Sequence, residues 1–157
     1  MPTSSPNVRA RILYMEDDAT SALLFRRRLE RDGYHVDIAV DGEAGLALLA
    51  DAAYDLVALD YHMPKLDGLG VLQVLAGQID TPPVIMITSE NDTQTVLEAM
   101  RLGAYDYLIK APNSGHLLLL PGVIERSLAK RRLEVEQRRT IEELHTQNRE
   151  IWRSSTA

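Results

Sequence analysis

Five short apolar runs punctuate the first 110 residues, and between them the apolar positions change to helical spacing. Ile12-Leu13-Tyr14-Met15 has no polar alternation, as expected of a strand buried on both faces. It ends at Glu16-Asp17-Asp18. Ala22, Leu23, Leu24, Phe25 and Leu29 then recur at helical intervals among Arg26, Arg27, Arg28 and Glu30, and Gly33 closes that helix. His35 to Val40 alternates as a strand, with Val36 and Ile38 on one face. Asp41 is placed to cap a helix from Gly42 to Asp51. Tyr54 to Leu59 predicts a strand leading into Asp60. A third helix carries Leu69, Val71, Leu72 and Leu75 and stops near Gly77. Pro82-Pro83 opens the strand Val84-Ile85-Met86-Ile87, which finishes at Thr88-Ser89. Asn91 or Asp92 caps a helix with Val96, Leu97, Met100 and Leu102, stopped at Gly103. Tyr105 to Ile109 is the fifth strand, ending at Lys110.

Strands alternating with helices in this way predict an α/β fold: one doubly wound parallel sheet, right-handed crossovers, helices on both faces. Glu16/Asp17, Asp60, Thr88/Ser89 and Lys110 all follow C-terminal strand ends, so they gather on one sheet edge, where open α/β folds bind ligands.

Beyond Lys110 the chain is largely helical. Leu117 to Leu120 are apolar together, and Pro121-Gly122 then either starts the last helix or kinks it. From Val123 to about Trp152 nothing breaks a helix, a length of about 45 Å. Ile124, Leu128 and Val135 fit one apolar seam; Ile141, Leu144, Asn148 and Ile151 fit a second in a different register. Glu134–Arg138 and Arg132–Glu136 have the spacing of helix-stabilising ion pairs. Two readings follow for this tail: a parallel dimeric coiled coil or a solvated helix.

The length of 157 residues suits one domain plus an appended element. Residues 1–8, rich in Pro, Ser and Thr, read as a flexible leader, and 131–157 as a helical extension. Apolar content of 45% is enough to fill a core. The net charge of -6 is uneven: residues 123–157 hold eight Lys and Arg against six Glu, and the remainder nine against seventeen acids. So acidic a body argues against direct nucleic-acid binding. Cysteine is absent, which excludes disulfides and Cys-based zinc sites. No stretch approaches the roughly 18 apolar residues of a membrane span, and Met1 to Arg11 lacks the apolar core of a signal peptide. A cytoplasmic protein with no membrane partner is the expectation.

Glu16, Asp17 and Asp60 would repel one another without a cation. A hard, oxygen-seeking ion such as Mg²⁺ suits them. A carboxylate held beside a metal and a lysine can act as a nucleophile toward phosphorus.

Four segments carry a resemblance: Ile12-Leu13-Tyr14-Met15-Glu16-Asp17; Asp60-Tyr61-His62-Met63-Pro64 with Gly68; Thr88-Ser89; and Tyr107-Leu108-Ile109-Lys110. Together, in this order, they resemble the receiver domain of two-component response regulators over about residues 9–130. The resemblance implies a flavodoxin-like sheet of order 2-1-3-4-5. It implies that Asp60 accepts a phosphoryl group from a sensor histidine kinase or phosphotransfer protein. Asp17 and Asp60 would ligate Mg²⁺ directly, Glu16 through water, with the carbonyl of His62 contributing. Lys110 and Thr88 would bind phosphoryl oxygens, and Ser89 would leave room for them. Thr88 and Tyr107 would form the switch that alters the surface of the fourth helix, fifth strand and fifth helix. Tyr107 read alone also fits a half-buried core tyrosine, the lesser reading. His62 and Glu90 either modulate phosphoryl lifetime or are exposed loop residues.

One departure stands out. Such receivers usually have Pro after this lysine, often with a cis bond. Here Ala111 follows Lys110, and a cis bond would cost about 3–4 kcal/mol. Either that strain is tolerated or the loop differs. Asp18 lies one place beyond the matching acids and reads as a helix cap. His35, His116 and His145 lack metal-ligand spacing and read as structural or surface residues. The expected role is a phosphorylation-controlled homodimer acting on a downstream partner or module, a switch more than a turnover enzyme. Two rivals are a phosphorylation-independent scaffold and an aspartyl-phosphate phosphatase. The latter group wants an acid two residues after the nucleophile, where His62 stands.

Overall fold

The computed structural model describes residues 8–89 and 93–155. Five strands, β1 (Arg11–Met15), β2 (His35–Ala39), β3 (Leu56–Asp60), β4 (Val84–Thr88) and β5 (Asp106–Ile109), form one parallel sheet of order β2-β1-β3-β4-β5. Helices α1 (Ala19–Arg31), α2 (Gly42–Asp51), α3 (Gly68–Ala76) and α4 (Thr93–Arg101) fill the crossovers. A short 3₁₀ turn, Gly115–Leu118, leads into α5 (Leu120–Ser155). The expected fold and strand order are both present.

Although the interior of each central strand is apolar, its pleat divides it between two cores. Ile12 and Tyr14 of β1, with Leu56, Ala58, Ile85 and Ile87, meet Phe25 and Leu29 of α1 and Leu120, Val123 and Ile124 of α5. Tyr14 stacks on Phe25 with ring centroids 4.0 Å apart. Leu13 and Met15, with Val57, Leu59 and Met86, face Val71, Leu72 and Leu75 of α3 and Ala99 of α4. Burial on both faces is why β1, β3 and β4 read as unbroken apolar runs.

Caps set where three helices begin. Asp18 accepts from the Ser21 N–H at 2.9 Å, Asp41 from Ala44 at 2.7 Å and Asp67 from Gly70 at 2.8 Å. The first two match the sequence reading. The caps foreseen at Asn91 or Asp92 lie outside the described residues.

Several boundaries differ from expectation: β2 ends at Ala39 rather than Val40, β5 starts at Asp106 rather than Tyr105, and β3 and the last helix shift as well. β3 starts at Leu56 rather than Tyr54, whose hydroxyl donates to Asp37 at 2.6 Å. At its other end β3 includes Asp60, paired in register with Ile87. The last helix starts at Leu120, with Pro121 in its first turn, where a missing N–H costs nothing. Pro121 therefore starts the helix and does not kink it. Leu117 packs against the core and Leu120 is fully buried, whereas Leu118 and Leu119 face solvent.

α5 runs for 36 residues, about 54 Å. Ile124 and Leu128 of the first expected seam pack on the core, and Val135 is exposed. Ile141, Leu144 and Ile151 of the second are exposed. The expected pair Glu134–Arg138 is replaced: Glu134 accepts a hydrogen bond from the Tyr105 hydroxyl and lies 3.8 Å from Arg131. The Arg132–Glu136 pair is likewise absent from the ion pairs of the described residues.

Candidate functional site

The strand ends bring the four segments to one edge. Glu16 follows β1 directly, and its N–H donates to the Ala39 carbonyl at 2.8 Å, which extends the ladder by one residue. Its carboxylate is buried. Asp17, one step further, is exposed. Asp60 is the buried last residue of β3, and Thr88 is the buried last residue of β4. Lys110 follows β5, held by its N–H to the Thr88 carbonyl at 2.8 Å.

Oxygen atoms of Glu16, Asp17 and Asp60 lie within 4.8 Å of one another. The Lys110 Nζ sits 2.6 Å from Glu16 Oε1 and 3.5 Å from Asp60 Oδ2, with its side chain 17% exposed. The second Glu16 oxygen, Oε2, is buried without a hydrogen-bond partner. An orphaned carboxylate oxygen beside two further carboxylates is a donor set that fits a hard divalent cation. Burial, and then Asp60, push the Glu16 carboxyl up to about 8, against the opposing pull of Lys110. This acid is thus the one whose charge most needs a second cation.

The loop after β3 turns on Gly68. Its N–H donates to the Tyr61 carbonyl at 2.9 Å, and a Cβ there would come within 2.5 Å of the Asp60 carbonyl oxygen. Only glycine admits that approach of α3 to the strand end. Asp17, His62, Met63, Pro64 and Asp67 line an open depression beside the carboxylates. His62 is exposed, with its ring edge-on to Tyr61 at 4.6 Å. Ser89 is exposed as well. Tyr107 is 41% exposed, which sets aside its reading as a core tyrosine. Glu90 lies outside the described residues. Asp18 caps α1 and takes a second hydrogen bond from the Ser21 hydroxyl at 2.6 Å.

The Lys110–Ala111 bond is trans, since no described peptide bond is cis. The loop differs instead: the Ala111 N–H donates to His116 Nδ1 at 3.1 Å. Sequence alone assigns His116 a structural or surface place. The only hint of more was the missing proline, which leaves an N–H at Ala111 in need of an acceptor.

The family profile described as the response regulator receiver domain matches residues 12–120. The chain belongs to that family. The receiver is 39% identical over 102 residues to the probable transcriptional regulator ycf27 of Porphyridium aerugineum, covering 65% of this chain and 42% of that protein. It is 36% identical over 100 residues to the response regulator ArlR of Staphylococcus saprophyticus subsp. saprophyticus, covering 64% and 45%. The chain thus spans less than half the length of these curated relatives. Among solved structures, the receiver domain of the Francisella response regulator 1452 aligns with a TM-score of 0.68 at 30% identity, over 78% of this chain and 98% of that one. Phosphorylation and Mg²⁺ dependence are general properties of receivers, which bind the ion through acidic residues, and this receiver carries such a cluster in Glu16, Asp17 and Asp60. Receivers pair with histidine kinases and are in general not turnover enzymes. No helix among the described residues is long and apolar enough to cross a membrane.

Proposed function

We propose that Asp60 is the phospho-acceptor of this receiver. The observation that carries the reading is the close cluster of Glu16, Asp17 and Asp60, with Lys110 3.5 Å from Asp60. An Asp60 oxygen attacks the phosphorus of a phosphohistidine on a sensor kinase or phosphotransfer protein. A P–O bond forms as the P–N bond breaks, and the imidazole leaves with the electron pair. The Lys110 ammonium binds the phosphoryl oxygens as a point charge, and the Thr88 hydroxyl donates to another. Asp17, Asp60, Glu16 and the His62 carbonyl would hold Mg²⁺, which when bound neutralises the carboxylates and polarises the phosphoryl oxygens. His62 and Glu90 modulate water access and so the lifetime of the phosphoryl group.

The aspartyl phosphate adds about -1.5 to -2 charge at one point. Thr88 moves toward it, and Tyr107 rotates inward from its exposed position, reshaping the face of α4, β5 and α5. This is a shift between two states with a coupling of about 1–3 kcal/mol. Residues 9–130 form the switch, 1–8 a leader, and 131–157 a dimerising extension that passes the change to a cytoplasmic partner or downstream module. The acidic body makes that output protein-directed; direct DNA contact by this segment is not part of the reading.

Incubation with Mg²⁺ and acetyl phosphate tests the assignment. The mass should rise by one phosphoryl group, and Asp60→Asn should remove the rise. Incorporation that persists in Asp60→Asn would falsify the reading.

A further inference from the structure

Lys110 is the last residue of its segment tied to the sheet, through its N–H to Thr88. The next residue, Ala111, is half-buried, and its N–H reaches no strand carbonyl. A proline there would have no donor to satisfy. With alanine and a trans bond, the chain must find an acceptor, and it finds His116 Nδ1 at 3.1 Å.

The intervening loop is built to deliver that ring. The Ser114 N–H donates to the Ala111 carbonyl at 3.0 Å, and Ser114 takes a left-handed conformation with φ 60°. The Gly115 N–H donates to Asn113 Oδ1 at 3.0 Å, and the Leu117 N–H to the Ser114 carbonyl at 3.1 Å. His116 thus stands in the 3₁₀ turn that opens into α5. Its hydrogen bond closes a six-residue ring between the end of β5 and the start of that turn. Only a neutral imidazole with its proton on Nε2 can accept at Nδ1. Burial and the nearby Lys110 charge both lower the His116 pKa and keep the ring in that form.

We propose that His116 is a positioning residue for Lys110: by accepting the Ala111 N–H it fixes the backbone at Lys110 and so aims the ammonium at Asp60 and Glu16. The proposal rests on the reading of Asp60 and Lys110 as the phosphoryl site. His116 itself touches neither substrate nor ion, and in this chain it does what a proline would do by ring constraint.

The test compares full-length wild type, His116→Leu, His116→Asn, Ala111→Pro and the double variant Ala111→Pro/His116→Leu. Phosphorylation rate is read with acetyl phosphate, Mg²⁺ affinity with the metal alone, and Ala111 and Lys110 by amide exchange and Nζ resonance. His116→Leu should slow phosphorylation about tenfold without weakening Mg²⁺ binding, because the displaced ammonium no longer competes with the ion for Glu16 and Asp60. His116→Asn, whose amide oxygen can accept, should restore most of the rate. In the Ala111→Pro background the donor is gone, so His116→Leu should cost nothing further. A wild-type rate in His116→Leu overturns the proposal, as does an equal loss in both backgrounds, which would mean packing alone. If wild type takes up no phosphoryl group, the reading of Asp60 fails and the resonance arm decides. There, an exposed Ala111 amide with a displaced Lys110 signal in His116→Leu upholds positioning, and an unmoved Lys110 sinks it.

Discussion

Lys110 places its ammonium 2.6 Å from Glu16 and 3.5 Å from Asp60, so the lysine is held first by the deeper acid. One cation shared by two carboxylates leaves the cluster under-neutralised, and Glu16 Oε2 has no hydrogen-bond partner among the described residues. The Glu16 carboxyl accordingly rises to about 8, chiefly through burial.

That shift sets a pH dependence. Because the folded state holds the Glu16 proton more tightly than the unfolded chain, its stabilising contribution is complete below the ordinary value of 4.5 and is lost as pH rises toward about 8. In chelator, thermal stability should therefore decline across this window, and Glu16→Gln should flatten the decline. Mg²⁺ should restore more stability at the alkaline end, where the carboxylate is already charged. Melting curves at a series of pH values, with EDTA and with Mg²⁺, check both signs. An unchanged slope in Glu16→Gln would assign the dependence to another group.

Gly68 and Gly77 should respond oppositely to alanine. At Gly68 a Cβ meets the Asp60 carbonyl oxygen at 2.5 Å and Tyr61 Cα at 3.0 Å, both backbone atoms that cannot turn aside. Gly68→Ala should cost about 1–3 kcal/mol and slow phosphorylation by displacing Asp60. At Gly77 the nearest atom is 3.7 Å away and φ is -83°, so alanine fits, and stability should rise by about 0.4–1 kcal/mol. Urea titrations of the two variants measure the contrast.

How much of this was legible in the sequence divides along a physical line. Local signals served well: the strands announced themselves as apolar runs, and Asp18 and Asp41 as caps. The Asp60, Thr88 and Lys110 segments fell at strand ends, and their convergence needed only the rule that parallel strands share a C-terminal edge. What failed was pairing across sequence distance. Helical spacing nominated Arg138 for Glu134, but Tyr105, 29 residues upstream, reached Glu134 first. The apolar look of Tyr54 matched a strand, and nothing local pointed to the bond its hydroxyl makes to Asp37, 17 residues away. His116 looked idle because its partner is a backbone N–H, which carries no side-chain signature.

Arg131 couples the same region to the body. Its Nη1 donates to the Thr81 carbonyl at 2.6 Å and its Nε to the Tyr105 hydroxyl at 2.8 Å, while Lys130 stands over the Tyr105 ring at 4.7 Å. Tyr105 directly precedes β5, the strand bearing Tyr107. Arg131→Met should cost about 1–2 kcal/mol and speed amide exchange along α5 from about Arg126 onward, leaving β1 and β3 protected. Exchange mass spectrometry on peptides of α5 reads the effect. Uniform deprotection would mean that Arg131 stabilises the whole fold and does not specifically anchor the helix.

Beyond that anchor, α5 presents one face without charge. Leu133, Gln137, Thr140, Ile141, Leu144, Asn148 and Ile151 fall within one arc of the helix, and the Arg and Glu residues of the segment lie outside it. Leu133, Ile141, Leu144 and Ile151 are each more than half exposed. Two copies aligned in parallel would bury this stripe and bring Asn148 against its own counterpart. A polar pair at such a position fixes register and strand number at some cost in stability. Leu144→Glu should therefore dissociate the protein into monomers, while Asn148→Leu should tighten association and admit species larger than dimers. Sedimentation with and without phosphorylation follows both. A wild-type chain that stays monomeric at high concentration in either state, and is unaltered by Leu144→Glu, would return this helix to the solvated reading and leave the output to the α4, β5 and α5 face.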